Sequence, residues 1–272
     1  MGGVLEVESV GRLRVLRLNR PERKNALNGE LLQAITEAGR EAAHDDDVWA
    51  LALTGNGDAF CSGLDLSASA AVGGQEEAGP EETGTSDTDA GDGTSDHFAM
   101  VLRVECEKPV LAGVNGVAVG IGVSLAMAAD IRIAAPSARF HPGYARVGTS
   151  PDGGATWTVT EALGYEGAMR FFLEQRMLSA DEALRIGLVG EVADSDDVFE
   201  ERFLAYGQML AGVAPLAARQ TKRLLGRISR PPDLAAHLQE EIGLALSGLG
   251  SDDSREAIRA MTARDQPVFK GS

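Results

Sequence analysis

Two glycine-rich turns and one aspartate are the residues of this chain best suited to chemistry. The first turn reads Ala59-Phe60-Cys61-Ser62-Gly63-Leu64-Asp65-Leu66, and the second runs from Val114-Asn115-Gly116 through Gly120-Ile121-Gly122 to Ala126. Each follows an apolar run of strand character. The second leads straight into helical spacing, so its N–H groups stand at the positive end of a helix dipole. Two such turns facing one another can hold an anionic oxygen. Taken singly, either glycine cluster equally marks a tight turn or a close helix–strand contact. Asp152 follows Pro151 and precedes a helical stretch, which is a common place for an N-cap. In an apolar pocket the same carboxyl would have a raised pKa and could carry protons. Neither turn has the G-x-G-x-x-G or G-x-x-x-x-G-K-[ST] spacing of nucleotide sites. No His/Cys pair has metal-ligand spacing, so no metal is expected. Cys61 reads as a small turn residue, and His44 and His237 as solvated helix positions; His141 has no motif around it.

The elements that must position these residues follow from periodicity. Val4–Val7 and Leu13–Leu18 read as strands of a hairpin turning at Val10-Gly11. Asn28 caps a helix through Ala43, with Leu31, Leu32, Ile35 and Ala38 on one face. Trp49–Thr54, Val110–Val114 and Ile131–Ala134 are further strands, and His97–Cys106 has helical spacing. Helices are predicted from Gly120 to Ala129, Asp152 to Leu163 and Tyr165 to Phe172. Ser179-Ala-Asp-Glu182 is a capping box that opens another. Phe199–Ala211, Pro215–Gly226, Leu234–Leu249 and Ser254–Thr262 complete a helical C-terminal third. Strand–helix order followed by helices alone predicts an α/β core with a helical appendage. The division expected is residues 1–200 for the core and 201–272 for the helical region.

Composition narrows the partners. The formal charge of −16 leaves no basic stripe for nucleic acid or an anionic membrane surface. A few local cations and N–H groups can still hold an anionic ligand. Half of that charge lies in residues 67–96, where eight carboxylates stand among Gly, Ala, Ser and Thr with no Lys or Arg. This stretch reads as a mobile acidic insertion. Two cysteines and no basic-then-apolar leader predict a reduced, cytoplasmic protein. The longest apolar stretch, Val110–Ala129, is broken by Asn115 and several glycines and predicts no membrane span.

Together these segments resemble the crotonase (enoyl-CoA hydratase/isomerase) superfamily. The resemblance rests on Leu18-Asn-Arg-Pro-Glu-Arg-Lys-Asn-Ala-Leu27, on Ala59–Leu66, on Lys108–Asp130, on Gly148-Thr-Ser-Pro-Asp-Gly-Gly-Ala-Thr-Trp157 and on Leu178–Val189, in that order. It implies a spiral of ββα units with a helical C-terminal trimerisation region, and a homotrimer or a pair of trimers. It implies an acyl-CoA thioester as substrate, with coenzyme A entering as part of it and no separate cofactor. By motif position the thioester oxygen would be held by the N–H groups of Leu64 and Ile121. The resemblance places CoA contacts on Arg23, Lys24, Ala26, Leu27, Ala59, Ser62, Gly63, Asp65, Leu66 and Gly120, and on the tail Phe269-Lys270, which would come from a neighbouring subunit.

The carboxylates separate the possible reactions. Hydratases of this family carry two glutamates that activate and protonate water; here those positions fall on Ser124 and Tyr144. Neither is a general base at neutral pH without a partner. Asp152 sits in a G-x-x-P-D-x-G-x-x-W pattern similar to the isomerase branch, where an aspartate shuttles the proton. One carboxylate suffices to take a proton from one carbon and return it to another. Isomerisation is therefore the leading expectation. The alternatives are hydration with non-standard acid/base groups, aryl-CoA dehalogenase or hydrolase chemistry with His97 and Tyr144 beside Asp152, and a non-catalytic acyl-CoA-binding homologue.

Overall fold

The computed structural model describes residues 3–65, 96–229 and 234–268. Leu66, Phe269, Lys270 and all of the acidic insertion except Asp96 lie outside them. Strands β1 (Leu5–Val10) and β2 (Leu13–Leu18) form the expected antiparallel hairpin. Helix α1 (Gly29–His44) follows, and the Asn28 side chain accepts from Leu31 N at 3.0 Å as its cap. Its buried face includes Leu31, Ile35, Ala38 and Ala42, an alternation of four- and three-residue steps that lines one side of a helix.

Three strand pairs then repeat one pattern. They are β3 (Ala50–Gly55) with β4 (Ala59–Cys61), β5 (Val110–Val114) with β6 (Val117–Val119), and β7 (Ile131–Ala134) with β8 (Arg139–His141). The first strand of each pair joins a six-stranded sheet ordered β1-β2-β3-β5-β7-β10, and the second joins a four-stranded sheet ordered β4-β6-β8-β9. Strands β9 (Leu178–Ser179) and β10 (Glu191–Val192) close the two edges. The chain thus climbs as a spiral, switching sheets at each sharp turn. Within the small sheet β4, β6 and β8 run parallel, so their C-terminal ends emerge side by side.

Helices fill the spaces between turns of the spiral. They are α2 (Phe98–Met100, continued by a wider turn over Val101–Glu105), α3 (Ile121–Met127), α4 (Ala155–Glu174) and α5 (Ala180–Ile186). Helix α4 is two helices joined at Gly164, where φ is 69°, matching the break predicted there. The capping box at Ser179/Glu182 is present in full. Helix α6 (Asp196–Ala211) covers the outer face of the large sheet through Phe199 and Phe203. Helices α7 (Pro215–Ser229), α8 (Leu234–Leu249) and α9 (Asp252–Ala263) end the chain. Lys222 of α7 fastens that region to the core through Asp130 at 2.8 Å and the carbonyls of Leu102 and Lys108. No helix of the described residues is long and apolar enough to cross a membrane.

Candidate active site

The two glycine-rich turns follow β4 and β6, neighbouring parallel strands, so the sheet itself brings them together. Their contact is backbone to backbone: a Cβ built on Gly122 would lie 2.4 Å from the Cys61 carbonyl oxygen. The first turn is pinned from its other side by the segment after β2. Leu27 N donates to Gly63 O and Asp65 N to Leu27 O, each at 2.8 Å. In such a parallel bridge the intervening residue turns its own N–H the opposite way. The Leu64 N–H therefore points away from Leu27. Ile121 is the first residue of α3, where an N–H has no intrahelical acceptor. Val123 N and Ser124 N return to Gly120 O, at 2.8 and 3.3 Å. Among the described residues, neither Leu64 N–H nor Ile121 N–H has a backbone acceptor. Gly120 N is itself held by His141 O at 3.0 Å, tying the second turn to the end of β8.

Several residues matched to CoA contacts also build the turn. Ser62 N donates to Lys24 O at 3.0 Å and its Oγ to Arg23 O at 3.3 Å. Asp65 pairs with Arg20 at 2.8 Å, both largely buried. Arg20 also donates to Ala26 O. Asn25, fully buried, accepts from Arg20 N and donates to the carbonyls of Asn56 and Ala59. Lys24 pairs with Asp58 at 2.9 Å on the exposed rim, and Arg23 is exposed beside it. Ala26 and Leu27 are buried under this segment.

The three residues on which the sequence rests the choice of reaction, Ser124, Tyr144 and Asp152, meet beyond the end of β8. Ser124 on α3 is fully buried, and its Oγ bonds the Tyr144 hydroxyl and donates to Asp152 O at 3.0 Å. The Tyr144 hydroxyl also stands 3.4 Å from Asp152 O. The two positions expected to hold glutamates in a hydratase are thus bonded to each other, and both touch Asp152. Burial raises the Tyr144 pKa well above its usual range, so this phenol is a donor and not a base. Burial likewise pushes Asp152 up to about 6; the Tyr144 hydroxyl opposes that rise and the charge of Glu241 adds to it. Among the described residues, Asp152 Oδ1 is the one buried carboxylate oxygen with no hydrogen-bond partner.

Asp152 does not cap α4. Gly153 and Gly154 both have positive φ, 66° and 75°, and the helix begins at Ala155 with Gly154 in the cap position. Two left-handed residues turn the chain so sharply that the Asp152 carboxyl cannot reach back to the first turn. The orphan N–H groups go instead to Glu241 of α8, which accepts from Gly154 N at 2.7 Å and Thr156 N at 3.0 Å. Sequence reasoning missed Glu241. It is the second of two adjacent acids, Glu240-Glu241, on a largely apolar helix, which does not single it out, and its partners lie 85 and 87 residues away.

His97 stands at the start of α2, its Nδ1 accepting from Ala99 N at 3.2 Å. Burial lowers its pKa to about 4, so it is neutral at neutral pH. The ring caps the start of α2 and is largely buried there. Its neighbour Phe98 packs under the Asp152 turn, 3.1 Å from where a Gly153 Cβ would stand. Cys61 is buried and its thiol is pushed up to about 12. No group of three or more acidic, His or Cys side chains among the described residues is placed to hold a metal. A cavity of about 330 Å³, lined among others by Leu163, Phe171, Arg176 and Leu178, has none of these groups in its lining.

A sequence profile described as enoyl-CoA hydratase/isomerase matches residues 8–272. This chain belongs to the enoyl-CoA hydratase/isomerase family. It is similar to a probable enoyl-CoA hydratase of Rhodobacter capsulatus, 36% identical over 266 residues and 95% of each chain. It is also similar to the 1,2-epoxyphenylacetyl-CoA isomerase of Escherichia coli, 32% identical over 263 residues and 94% of each chain. Among solved structures, an enoyl-CoA hydratase/isomerase from Pseudoalteromonas atlantica superposes with a TM-score of 0.85 at 31% identity, covering 98% of this chain and all of that one. The crotonase-type spiral expected from the sequence is the fold observed. Enzymes of the enoyl-CoA hydratase/isomerase family act on acyl-CoA substrates, and the family's two names leave the reaction of this member to its own side chains.

Proposed function

We propose that this protein is an enoyl-CoA isomerase that moves a double bond by a single-carboxylate proton shuttle. The Leu64 and Ile121 N–H groups receive the thioester oxygen. Asp152, as the carboxylate, takes a proton from the α-carbon of a 3-enoyl-CoA. The electron pair moves onto the thioester oxygen to give an extended enolate. The carboxylic acid then returns the same proton to the γ-carbon, leaving the 2-enoyl-CoA and the free carboxylate. Two aimed donors lower such a barrier by roughly 2.7–4 kcal/mol each. A base with a pKa near the working pH suits both halves of the transfer.

The observation that carries this reading is the pairing of Ser124 with Tyr144 beside an Asp152 oxygen that has no partner. The similarity to an isomerase over 94% of the chain supports it. The test is Asp152→Asn assayed on cis-3-enoyl-CoA: turnover should fall by at least a thousandfold, and near-full turnover would reject the assignment. Hydration is the second reading, favoured by the hydratase names among the relatives and by the two hydroxyls beside Asp152. Incubation of trans-2-enoyl-CoA in ¹⁸O-water separates the two, since only hydration places label in a 3-hydroxyacyl product. A homotrimer or pair of trimers belongs to the same proposal, supported by apolar side chains left exposed on α4 and α7, among them Leu173 and Leu216.

A further inference from the structure

We infer that Glu241 is a positioning residue for Asp152: from α8 of the same chain it locks the Pro151–Gly154 turn and sets a fixed negative charge beside the proton-carrying carboxyl. The inference rests on the reading of Asp152 as the base. The contacts are specific. Glu241 is 5% exposed, and its two oxygens accept from Gly154 N, Thr156 N and the Thr156 hydroxyl. A carboxylate on free N–H groups at a helix start is favoured by both the dipole and the hydrogen bonds. Both glycines of the turn that it grips are left-handed and contribute no side chain. Ser124 Oγ and the Tyr144 hydroxyl hold the turn at Asp152 O, and Glu241 holds its far end at Gly154 N. Leu238, on the same face of α8, comes within 3.5 Å of where a Gly154 Cβ would lie.

The groups around Asp152 can be named element by element. Ser124 faces it from α3, Tyr144 from the turn after β8, and Glu241 from α8. His237, one helical turn before Glu241, bonds the Thr156 hydroxyl at 2.7 Å and stands 3.4 Å from Glu241. From α2, Phe98 closes the apolar side, and His97 beyond it is neutral. Among the described residues, Glu241 is therefore the nearby anion. A like charge disfavours ionisation, so Glu241 holds the Asp152 carboxyl nearer to neutrality than burial alone would.

The experiment is the pH dependence of kcat/KM on cis-3-enoyl-CoA for the full chain and two variants. Activity requires the Asp152 carboxylate, so the wild type should lose activity on the acid side of about pH 6. Glu241→Gln keeps the size and one acceptor but removes the charge. Its acid limb should move down by about half a unit to one unit. Glu241→Asp keeps the charge and shortens the reach; its limb should stay within about 0.3 unit while kcat falls several-fold. A folded Glu241→Gln whose limb does not move shows that the residue only braces the helix, and overturns the inference. If Glu241→Gln does not fold, Glu241→Asp decides: a limb that drops by half a unit or more despite the retained charge also overturns it. Asp152→Asn in the same assay keeps the two claims apart. Near-full turnover there removes the base assignment itself, whereas an inactive Asp152→Asn with an unmoved Glu241→Gln limb removes only the role of Glu241.

Discussion

Gly122→Ala tests the pairing of the two turns without touching any ionisable group. Gly122 lies in the first turn of α3, where its backbone is helical and alanine alone would be preferred by about 0.5–1 kcal/mol. Space forbids that gain. The added Cβ would stand 2.4 Å from the Cys61 oxygen and 2.9 Å from the Cys61 Cβ, against an ordinary contact of 3.4 Å or more. A gap of about 1 Å must open between the two turns, and both are backbone, with no rotamer to yield. Overpacking of this kind costs about 1–3 kcal/mol of stability. The same displacement separates the Leu64 and Ile121 donors. Misplacement of about 1 Å is worth roughly a hundredfold in rate, and outright loss of one donor up to about a thousandfold. The measurement is kcat/KM on an enoyl-CoA ester at a temperature where circular dichroism shows the variant folded. A folded Gly122→Ala enzyme within threefold of wild type would refute the claim that these turns act as one site.

Asp152→Asn should also change stability, with a pH dependence of definite sign. The folded pKa of about 6 lies above the ordinary 3.8, so the native state binds this proton more tightly than the unfolded chain does. The carboxyl's contribution is therefore whole below about pH 4 and is lost as pH rises through 6. Two units correspond to about 3 kcal/mol at most. Asparagine escapes that loss, so the variant's Tm should exceed wild type at pH 8 and converge on it toward pH 4; a difference flat across this range would contradict the burial argument. Cys61 should resist iodoacetamide at pH 8 in the native protein and react on denaturation, because burial pushes its thiol up to about 12. Rapid native labelling followed by mass spectrometry would show otherwise.

Much of this architecture can be read in local signals. Asn28 and the Ser179/Glu182 box announce helix starts, and Gly164 announces a break, because caps and left-handed residues act within a few positions. The three-residue strands β4, β6 and β8 are too short for periodicity to reveal, so the small sheet is legible only through the family resemblance. Position in the motif leads to Asp152, Ser124 and Tyr144, but not to the bond between the last two, which depends on how far α3 and the post-β8 turn approach. The N-cap expectation for Asp152 fails because consecutive left-handed glycines delay the helix. Glu241 is invisible for the complementary reason, that the acceptor for those N–H groups comes from far along the chain.

That distance shapes how the molecule reaches working order. Gly154 and Glu241 are separated by 87 residues, and closing so wide a loop comes at the slow end of folding. Both sheets, and with them the Leu64 and Ile121 turns, are complete before α8 enters the sequence. On the proposed reading, a nascent or partly opened chain can thus present the Leu64 and Ile121 donors while Asp152 still sits on a turn whose far end, at Gly154, is not yet held. If Asp152 and Glu241 act as proposed, competence for the reaction arrives with the last helices to dock, and an unfinished molecule is held back from chemistry by its own connectivity.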